Sequence, residues 1–386
     1  MGGGSQTVTA IPLVDLAAQH AQVAGEVAAG WQEVLARTAF VGGPQVAAFE
    51  AEFAAFSGVP HCVGVANGTD AIELALRAAG IGAGDECVLP ANTFIATAEA
   101  VARAGATPVL VDCDPATYLV DPDAVAAAVT GRTRAIIGVH LYGQLAPVER
   151  LAAIAAEAGA VLVEDAAQAQ GARRHGAGPG AGAGAGGAGR VAATSFYPGK
   201  NLGAYGDGGA VLTADPELAE AVRLLGAHGS PRKYEHTVLG FNSRLDTLQA
   251  VVLSAKLRRL AGWNEARRAA AARYGELLAG IDGVVPPVTL AGNEHVWHLY
   301  VVRVPERDLV LKHLNANGVG AGVHYPTPVH LTPAFASLGY GEGAFPVAER
   351  AAGEILSLPI YAEITPQQQD RVVALLAEAL LAEAVA

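Results

Sequence analysis

Basic side chains are scarce in this chain. Lysine and arginine number 25 against 37 aspartates and glutamates, a net charge of −12 over 386 residues. That balance argues against a nucleic-acid-binding surface, although a few local donors suffice for an anionic small molecule. Cysteine is rarer still. Cys62, Cys87 and Cys113 each lie in or beside an apolar, strand-like run, an odd count with no C-x-x-C spacing. Buried thiols in a reducing compartment are expected rather than disulfides. No apolar run of membrane-spanning length is free of charges and breakers. The opening M-G-G-G-S-Q-T lacks a positive n-region and an apolar h-region, so no secretion signal is read and a cytoplasmic location is expected. Aromatics make up 6% of residues while Gly and Ala abound, so helices are expected to pack closely through small side chains. A chain of this length buries a large core and is expected to divide into a large and a small domain.

What is present is an alternation of apolar strands and amphipathic helices. Helix-like runs over residues 15–56 flank the break V-G-G-P, Val41 to Pro44. Strands are read at Cys62–Ala66, Cys87–Pro90, T-P-V-L-V-D ending at Asp112, A-I-I-G-V-H ending at His140, the run from Val161, and G-A-V-L-T. Unbroken apolar strands between amphipathic helices predict an α/β fold with a mostly parallel sheet covered on both faces. Ligands of such sheets gather beyond the carboxyl ends of the strands, where Thr69, Phe94, Asp165 and Lys200 all fall. G-I-G-A-G-D follows a helix and opens none, so it is not a dinucleotide fingerprint. The glycine/alanine run Gly176 to Gly189 cannot build a core and is expected to form a mobile surface loop at the rim. A long helical region from about Asp246 to Leu278 is expected to contain the domain boundary, giving domains 11–262 and 263–386. The second is read as a smaller α+β unit. It has a strand from Val296, a helix over D-L-V-L-K-H-L-N-A-N-G, a glycine-rich strand before a Pro/His loop, and a last helix capped by Thr365.

The stretch S-F-Y-P-G-K-N-L-G-A-Y-G-D-G-G, Ser195 to Gly209, sets one lysine in a glycine-rich turn directly after an apolar run. Pro198, Gly199 and Gly203 leave room to hold Lys200 close to a ligand. It is not a phosphate-binding P-loop, because the G-x-x-x-x-G-K-S/T spacing is absent. Two readings stand: a surface lysine closing a turn, or an amine nucleophile that forms a Schiff base. An imine-forming lysine calls for pyridoxal 5′-phosphate, and that cofactor makes demands for which candidates exist. Asp165, ending a buried strand, suits the pyridine nitrogen, whose protonated form an opposite charge favours. Phe94 suits the ring face. Gly68 and Thr69, at a helix start after the turn N-G-T, suit the phosphate together with Ser195. Gln168 suits the phenolic oxygen. Each also has a plainer reading: Asp165 as a helix cap, Phe94 as core, Gln168 as a polar rim residue, Ser195 as a turn hydroxyl. One ligand explains all the positions at once. His324 and His330 have no accompanying Cys/Asp/Glu cluster, so no metal site is expected.

At V-A-N-G-T-D-A-I-E-L-A-L, P-A-N-T-F-I-A-T-A-E-A-V, V-H-L-Y-G-Q, E-D-A-A-Q-A and S-F-Y-P-G-K-N-L-G-A-Y-G-D-G-G the chain resembles the DegT/DnrJ/EryC1/StrS sugar aminotransferases. The resemblance runs from about Ile11 to the final helix. It implies the aspartate-aminotransferase fold (fold type I), with a seven-stranded, mostly parallel sheet in the large domain. It further implies Lys200 as the Schiff-base lysine, Asp165 as the pyridine-nitrogen partner, Gln168 at the phenolic oxygen, Phe94 on the ring, and Thr69 and Ser195 on the phosphate. Asn242, in G-F-N-S-R-L, matches an asparagine that reaches the cofactor phosphate of the neighbouring subunit, which implies a homodimer with shared sites. The implied reaction is ping-pong transfer of an amino group, typically from L-glutamate, to a nucleotide-linked keto-sugar. The wording A-N-T-F-I-A-T, H-L-Y-G-Q and S-P-R-K-Y-E-H looks most like enzymes aminating C3 of dTDP-3-keto-6-deoxyhexoses for antibiotics or surface glycans, with C4 amination the near alternative. Candidate substrate contacts are Arg232 and Lys233 at the diphosphate, and His324, Tyr325 and His330. One departure stands out: Arg190 occupies a position where an aspartate is common. A dehydratase of the same fold usually carries histidine in place of the lysine, so Lys200 argues against it; a non-catalytic regulatory relative is the other rival.

Overall fold

The computed structural model describes residues 10–175 and 184–384. Strands β1 (His61–Val65), β2 (Glu86–Pro90), β3 (Thr107–Val111), β4 (Thr133–Val139), β5 (Val161–Asp165), β6 (Val191–Ser195) and β7 (Gly209–Thr213) form one sheet in the order β1-β7-β6-β5-β4-β2-β3. Only β7 runs against its neighbours; the pairs β2–β3, β2–β4, β4–β5 and β5–β6 are parallel. The expected mostly parallel α/β sheet is what forms. β2, parallel to both neighbours, and the reversed β7 are both buried at every residue, as strands of a sheet covered on both faces must be.

Helices α1 (Leu16–Ala21), α2 (Ala24–Arg37) and α3 (Pro44–Ser57) precede the sheet. The Val41–Pro44 break is real, and Pro44 opens α3, where its missing N–H is no loss. Helices α4 (Gly68–Ala78), α5 (Ile95–Ala104), α6 (Pro122–Ala128), α7 (Val148–Ala158) and α8 (Pro216–Gly226) connect or follow the strands. Cys62, Cys87 and Cys113 are free and buried.

Helix α9 (Thr247–Leu278) spans 32 residues, roughly 48 Å at 1.5 Å per residue. Its first half packs Leu253, Leu257 and Leu260 with Phe49, Phe53 and Phe196; its last turns pack Tyr274 and Leu278 into a separate core with Tyr300, Leu356 and Leu376. That second core is built on strands β8 (Tyr300–Arg303) and β9 (Ile355–Leu358), antiparallel, with helices α10 (Arg307–Ala316) and α12 (Pro366–Ala384), whereas α11 (Pro346–Glu354) packs Ala348 and Ala351 into the core of the large sheet. α12 opens with a reciprocal capping box: the Gln368 N–H donates to Thr365 Oγ1 at 3.2 Å and the Thr365 N–H donates to Gln368 Oε1 at 2.8 Å.

Three expectations change. The strand from Val296 begins only at Tyr300, because Trp297 takes φ 49° and stacks flat on His295. The glycine-rich stretch before His324 forms isolated bridges, Val319 to Ile11 and Gly322 to Ser357, rather than a strand. The expected loop over Gly176–Gly189 falls partly outside the described residues, but its end is packed. The amide N–H groups of Gly186, Ala188 and Gly189 donate to the Glu164 carboxylate at 3.1, 2.9 and 2.7 Å. The run ends as a backbone cradle for a buried acid, and glycine and alanine, with little or no side chain, let three amides converge on it. Arg190 pairs instead with Asp215, the N-cap of α8.

Glu164 also accepts from His140 Nε2 at 2.7 Å, while His140 Nδ1 accepts from the Ala146 N–H at 3.1 Å. The second bond fixes the proton on Nε2, leaving a neutral ring that donates to the acid. Burial works against the Glu164 carboxylate, yet His140 and the converging amides outweigh it and hold the group below its ordinary pKa. Replacing Glu164 with leucine orphans four donors, two of them, His140 Nε2 and the Gly186 amide, buried. The expected loss is about 3 kcal/mol or more of unfolding free energy, read from urea denaturation.

Candidate active site

Strand ends β1, β2, β4, β5 and β6 open on one cavity of about 730 Å3. Just beyond β1, Asn67 caps α4, its side chain accepting from the Asp70 N–H at 2.8 Å. The first amides of α4 precede any intrahelical acceptor. Glycine brings this helix start against β6 and β7: a Cβ on Gly68 would lie 2.6 Å from Ser195 Cβ, and one on Gly209 would lie 2.4 Å from the Asn67 carbonyl oxygen. Thr69 and Ser195 therefore share one wall. Ser195 Oγ accepts from the Tyr197 N–H at 3.2 Å, so the turn role is real; its own O–H proton is still free to donate.

Asp165 closes β5 on the opposite wall. Its Oδ2 accepts from Thr97 Oγ1 at 2.7 Å, and Oδ1 accepts from the Ala167 N–H at 3.2 Å. Residues 166–172 form turns, so Asp165 caps no helix. Thr97, fully buried on α5, is itself bonded to Thr93 at 2.8 Å. Gln168 is held in one orientation. Its Oε1 accepts from the Tyr142 N–H at 2.6 Å and its Nε2 donates to the Tyr325 hydroxyl at 2.9 Å, leaving one amide proton on a side chain that lines the cavity. Phe94, at the N-cap of α5, is half-exposed, with its ring centroid 5.1 Å from that of Tyr325.

Lys200 lines the same cavity as Asp165. Its loop folds back on β6: the Lys200 N–H donates to the Tyr197 carbonyl at 2.9 Å and the Ala204 N–H to the Phe196 carbonyl at 2.8 Å. Only glycine fits at 203, where a Cβ would lie 2.2 Å from the Pro198 carbonyl oxygen. Burial pulls the Lys200 pKa down to about 8, against the opposing charge of Asp165.

His324 and Tyr325 also line the cavity. His324 Nδ1 lies 2.8 Å from Ser357 Oγ, and burial with the nearby Lys200 charge lowers its pKa to about 4. The remaining candidates lie elsewhere in the chain. His330 is buried in a 3-10 turn, its Nε2 bonded to Glu349 at 2.9 Å and its ring packed edge-on against Phe345. Arg232 and Lys233 are exposed on a loop away from the cavity, and Asn242 Oδ1 accepts from Arg244 Nη2 at 2.9 Å.

Sequence reasoning missed Thr97, His140 and His298. Thr97 was legible as the threonine three positions after Phe94, which places it on the face of α5 turned to the strand ends. His298 carries no local signal. Both amide protons of Asn201 are donated, to Asn264 Oδ1 and the Val296 carbonyl at 2.9 Å each, so Asn201 Oδ1 only accepts. The 3.2 Å contact from His298 Nδ1 to that oxygen therefore carries the proton on Nδ1. Burial first, then the Lys200 and Arg267 charges, keep this imidazole neutral.

A sheet with one reversed strand, a capped helix start and a lysine facing a strand-end acid define a pyridoxal-phosphate-dependent aminotransferase of fold type I. The chain belongs to the DegT/DnrJ/EryC1/StrS aminotransferase family, whose model matches residues 22–377. It is 47% identical to a dTDP-3-amino-3,4,6-trideoxy-alpha-D-glucose transaminase of Streptomyces venezuelae, over 94% of each chain. It is 50% identical to a "pleiotropic regulatory protein" of Geobacillus stearothermophilus, over 95% of this chain and 98% of that one. The crystal structure of S. venezuelae DesV in complex with a ketimine intermediate superposes with a TM-score of 0.92 at 47% identity, covering 96% of this chain and 98% of that one. Homologues of this kind are sugar transaminases, and the chain is a sugar aminotransferase by the same family membership.

The donor set fits pyridoxal phosphate. Neutral and helix-terminal donors for a phosphate stand at Gly68, Thr69 and Ser195, an acid for a ring nitrogen at Asp165, and an amine at Lys200, all around one cavity. Only the neutral amine attacks an aldehyde, so a depressed pKa raises its reactive fraction at lower pH. With the pKa at about 8, roughly a quarter of Lys200 is neutral at about pH 7.5, against about a thousandth for an unperturbed lysine. Cofactor capture by the cofactor-free protein, followed by absorbance, is expected to accelerate with pH through a midpoint near 8; a midpoint near that of free lysine overturns the buried-amine account.

Proposed function

We propose that the chain transfers an amino group from L-glutamate to C3 of a dTDP-linked keto-deoxysugar, by a ping-pong cycle centred on Lys200. The observation that carries this reading is the placement of the Lys200 amine and the Asp165 carboxylate on one cavity at the strand ends. The choice of C3 and of dTDP is supported by the relatives named as transaminases forming dTDP-3-amino sugars.

When bound, pyridoxal phosphate supplies an electron sink for the pair left as an amino acid loses its α-proton. Lys200 Nζ takes that proton and redelivers it, as general base and then general acid, and its lowered pKa suits both duties near neutrality. Asp165, oriented by the Thr97 hydroxyl, holds a proton on the ring nitrogen by its opposite charge. Gln168 directs its free amide proton at the phenolic oxygen, while Phe94 covers one ring face. Thr69, Ser195 and the start of α4 bind the phosphate. Tyr325, whose hydroxyl oxygen already accepts from Gln168, has its own proton to donate to a sugar hydroxyl, and His324 stands beside it as a neutral ring.

Asn242, Arg232 and Lys233 fit this reading as groups offered to a second copy. They lie on the exposed segment that also carries Tyr234, 82% exposed, and Leu239, 96% exposed, apolar surface that a homodimer would cover. Arg232 and Lys233 then meet the diphosphate across the interface.

The name of the 50%-identical relative favours one second reading, a regulatory protein that binds the same ligands without turnover. Product analysis with L-glutamate and separate 3-keto and 4-keto dTDP-sugars decides between them. Amination of the 3-keto sugar is expected; amination of the 4-keto sugar alone overturns the regiochemistry, and no product from either favours the regulatory reading. Lys200→Ala and Asp165→Asn are each expected to lower kcat by about 100-fold or more, with unfolding midpoints close to wild type. Wild-type turnover in either variant removes that residue from the mechanism.

A further inference from the structure

One group in the molecule has no place in this chemistry and is costly where it sits. Lys256, in the first third of α9, is 2% exposed, and burial lowers its pKa to about 8. Its contacts in the structure are neutral: Nζ donates to the Gly203 carbonyl and to Gln19 Oε1, each at 2.7 Å, and stands 4.7 Å from the centroid of the Tyr205 ring. A buried ammonium that faces carbonyl oxygens and a ring face is less favourable than a packed apolar side chain unless those oxygens must be held.

The oxygen it holds belongs to the lysine loop, and Lys256 does not act alone. Seven residues earlier, Gln249 Oε1 accepts from the Tyr205 N–H at 2.8 Å. Eight residues later, Asn264 Oδ1 accepts from Asn201 Nδ2 at 2.9 Å, while Asn264 Nδ2 donates to the Gln170 carbonyl at 2.9 Å. At about 100° per residue the three positions fall within an arc of about 80° on α9. One stripe of one helix thus grips the residues one, three and five places after Lys200. Gln19 extends the grip to α1, which follows directly on Leu13 and Val14 of the cavity wall.

We propose that the stripe Gln249–Lys256–Asn264 positions Lys200, with Lys256 as its central clamp: pinning the Gly203 carbonyl fixes the loop that aims the Lys200 amine. The proposal makes Lys256 a positioning residue that touches neither substrate nor cofactor. It rests on Lys200 being the lysine that binds the cofactor.

The test uses the holoenzyme and two variants, Lys256→Met and Gln249→Leu. Three quantities are read: kcat, KM for the nucleotide sugar, and the pH midpoint of the absorbance of the Lys200-bound cofactor. In Lys256→Met, kcat is expected to fall about 10- to 100-fold with KM changed by less than about twofold, since aim is lost and binding is not. The absorbance midpoint is expected to move by about half a pH unit or more as the amine's surroundings change. Gln249→Leu, which loosens only Tyr205, is expected to shift both in the same direction by less, and it decides the matter where Lys256→Met does not fold. A lower unfolding temperature with wild-type kcat and midpoint would reduce the stripe to a structural role and overturn the proposal. Failure of the underlying assignment looks different: Lys200→Ala would then keep the wild-type absorbance.

Discussion

The arrangement depends on keeping an amine buried opposite a carboxylate without letting the pair collapse into an inert ion pair. Bringing the Lys200 pKa from 10.5 to about 8 corresponds to about 3 kcal/mol of disfavoured charge. Asp165 opposes that shift but does not cancel it, and its own oxygens are engaged by Thr97 and the Ala167 amide. The carboxylate is therefore oriented by neutral donors rather than spent on the lysine. An amine that is partly neutral near pH 7 and an acid held in place across a cavity are what proton transfer at a carbon centre requires.

That placement rests on backbone approach more than on side-chain contacts. Gly68 and Gly209 let the start of α4 touch the ends of β6 and β7, and Gly203 lets the lysine loop close upon itself. A side chain at any of these would push apart the donor wall and the amine that share one ligand. The sheet's single reversed strand, β7, begins at the same edge where the parallel strands end, so the return of the chain from the lysine loop brings Gly209 beneath the helix start. Behind this front, two polar sets are held by mutual hydrogen bonds: Glu164 with His140 and three amides, Asn201 with Asn264, Val296 and His298. In a low-dielectric interior such sets are rigid when complete, because leaving one member unpaired is expensive.

Much of the site was legible because it is local. N-G-T before an apolar helix, a strand ending in E-D, and a lysine between Pro198 and Gly203 each announce themselves over a few residues through turn and capping chemistry. The end of the glycine/alanine run was misread because composition predicts no core, and it misses that the amides of small residues can converge on one buried acid. The bond of His330 was not legible because a histidine's partner is a spatial fact: Glu349 is 19 positions away. Trp297 broke an apparently continuous strand, since stacking on His295 outweighed local β-propensity.

Periodicity and turn residues by themselves determined the alternation of strands and helices, the parallel character of the sheet, and which residues stand at the strand ends. These follow from short-range sterics and hydrogen bonding, which a dozen consecutive residues contain in full. The tertiary structure alone decided that Asp165, Lys200, Thr69 and Phe94 face one cavity, that His298 is a neutral ring with its proton on Nδ1, and that α9 grips the lysine loop. Those are relations among residues up to about a hundred and thirty positions apart along the chain. They exist only once burial has brought the groups together and removed the water that would otherwise satisfy them.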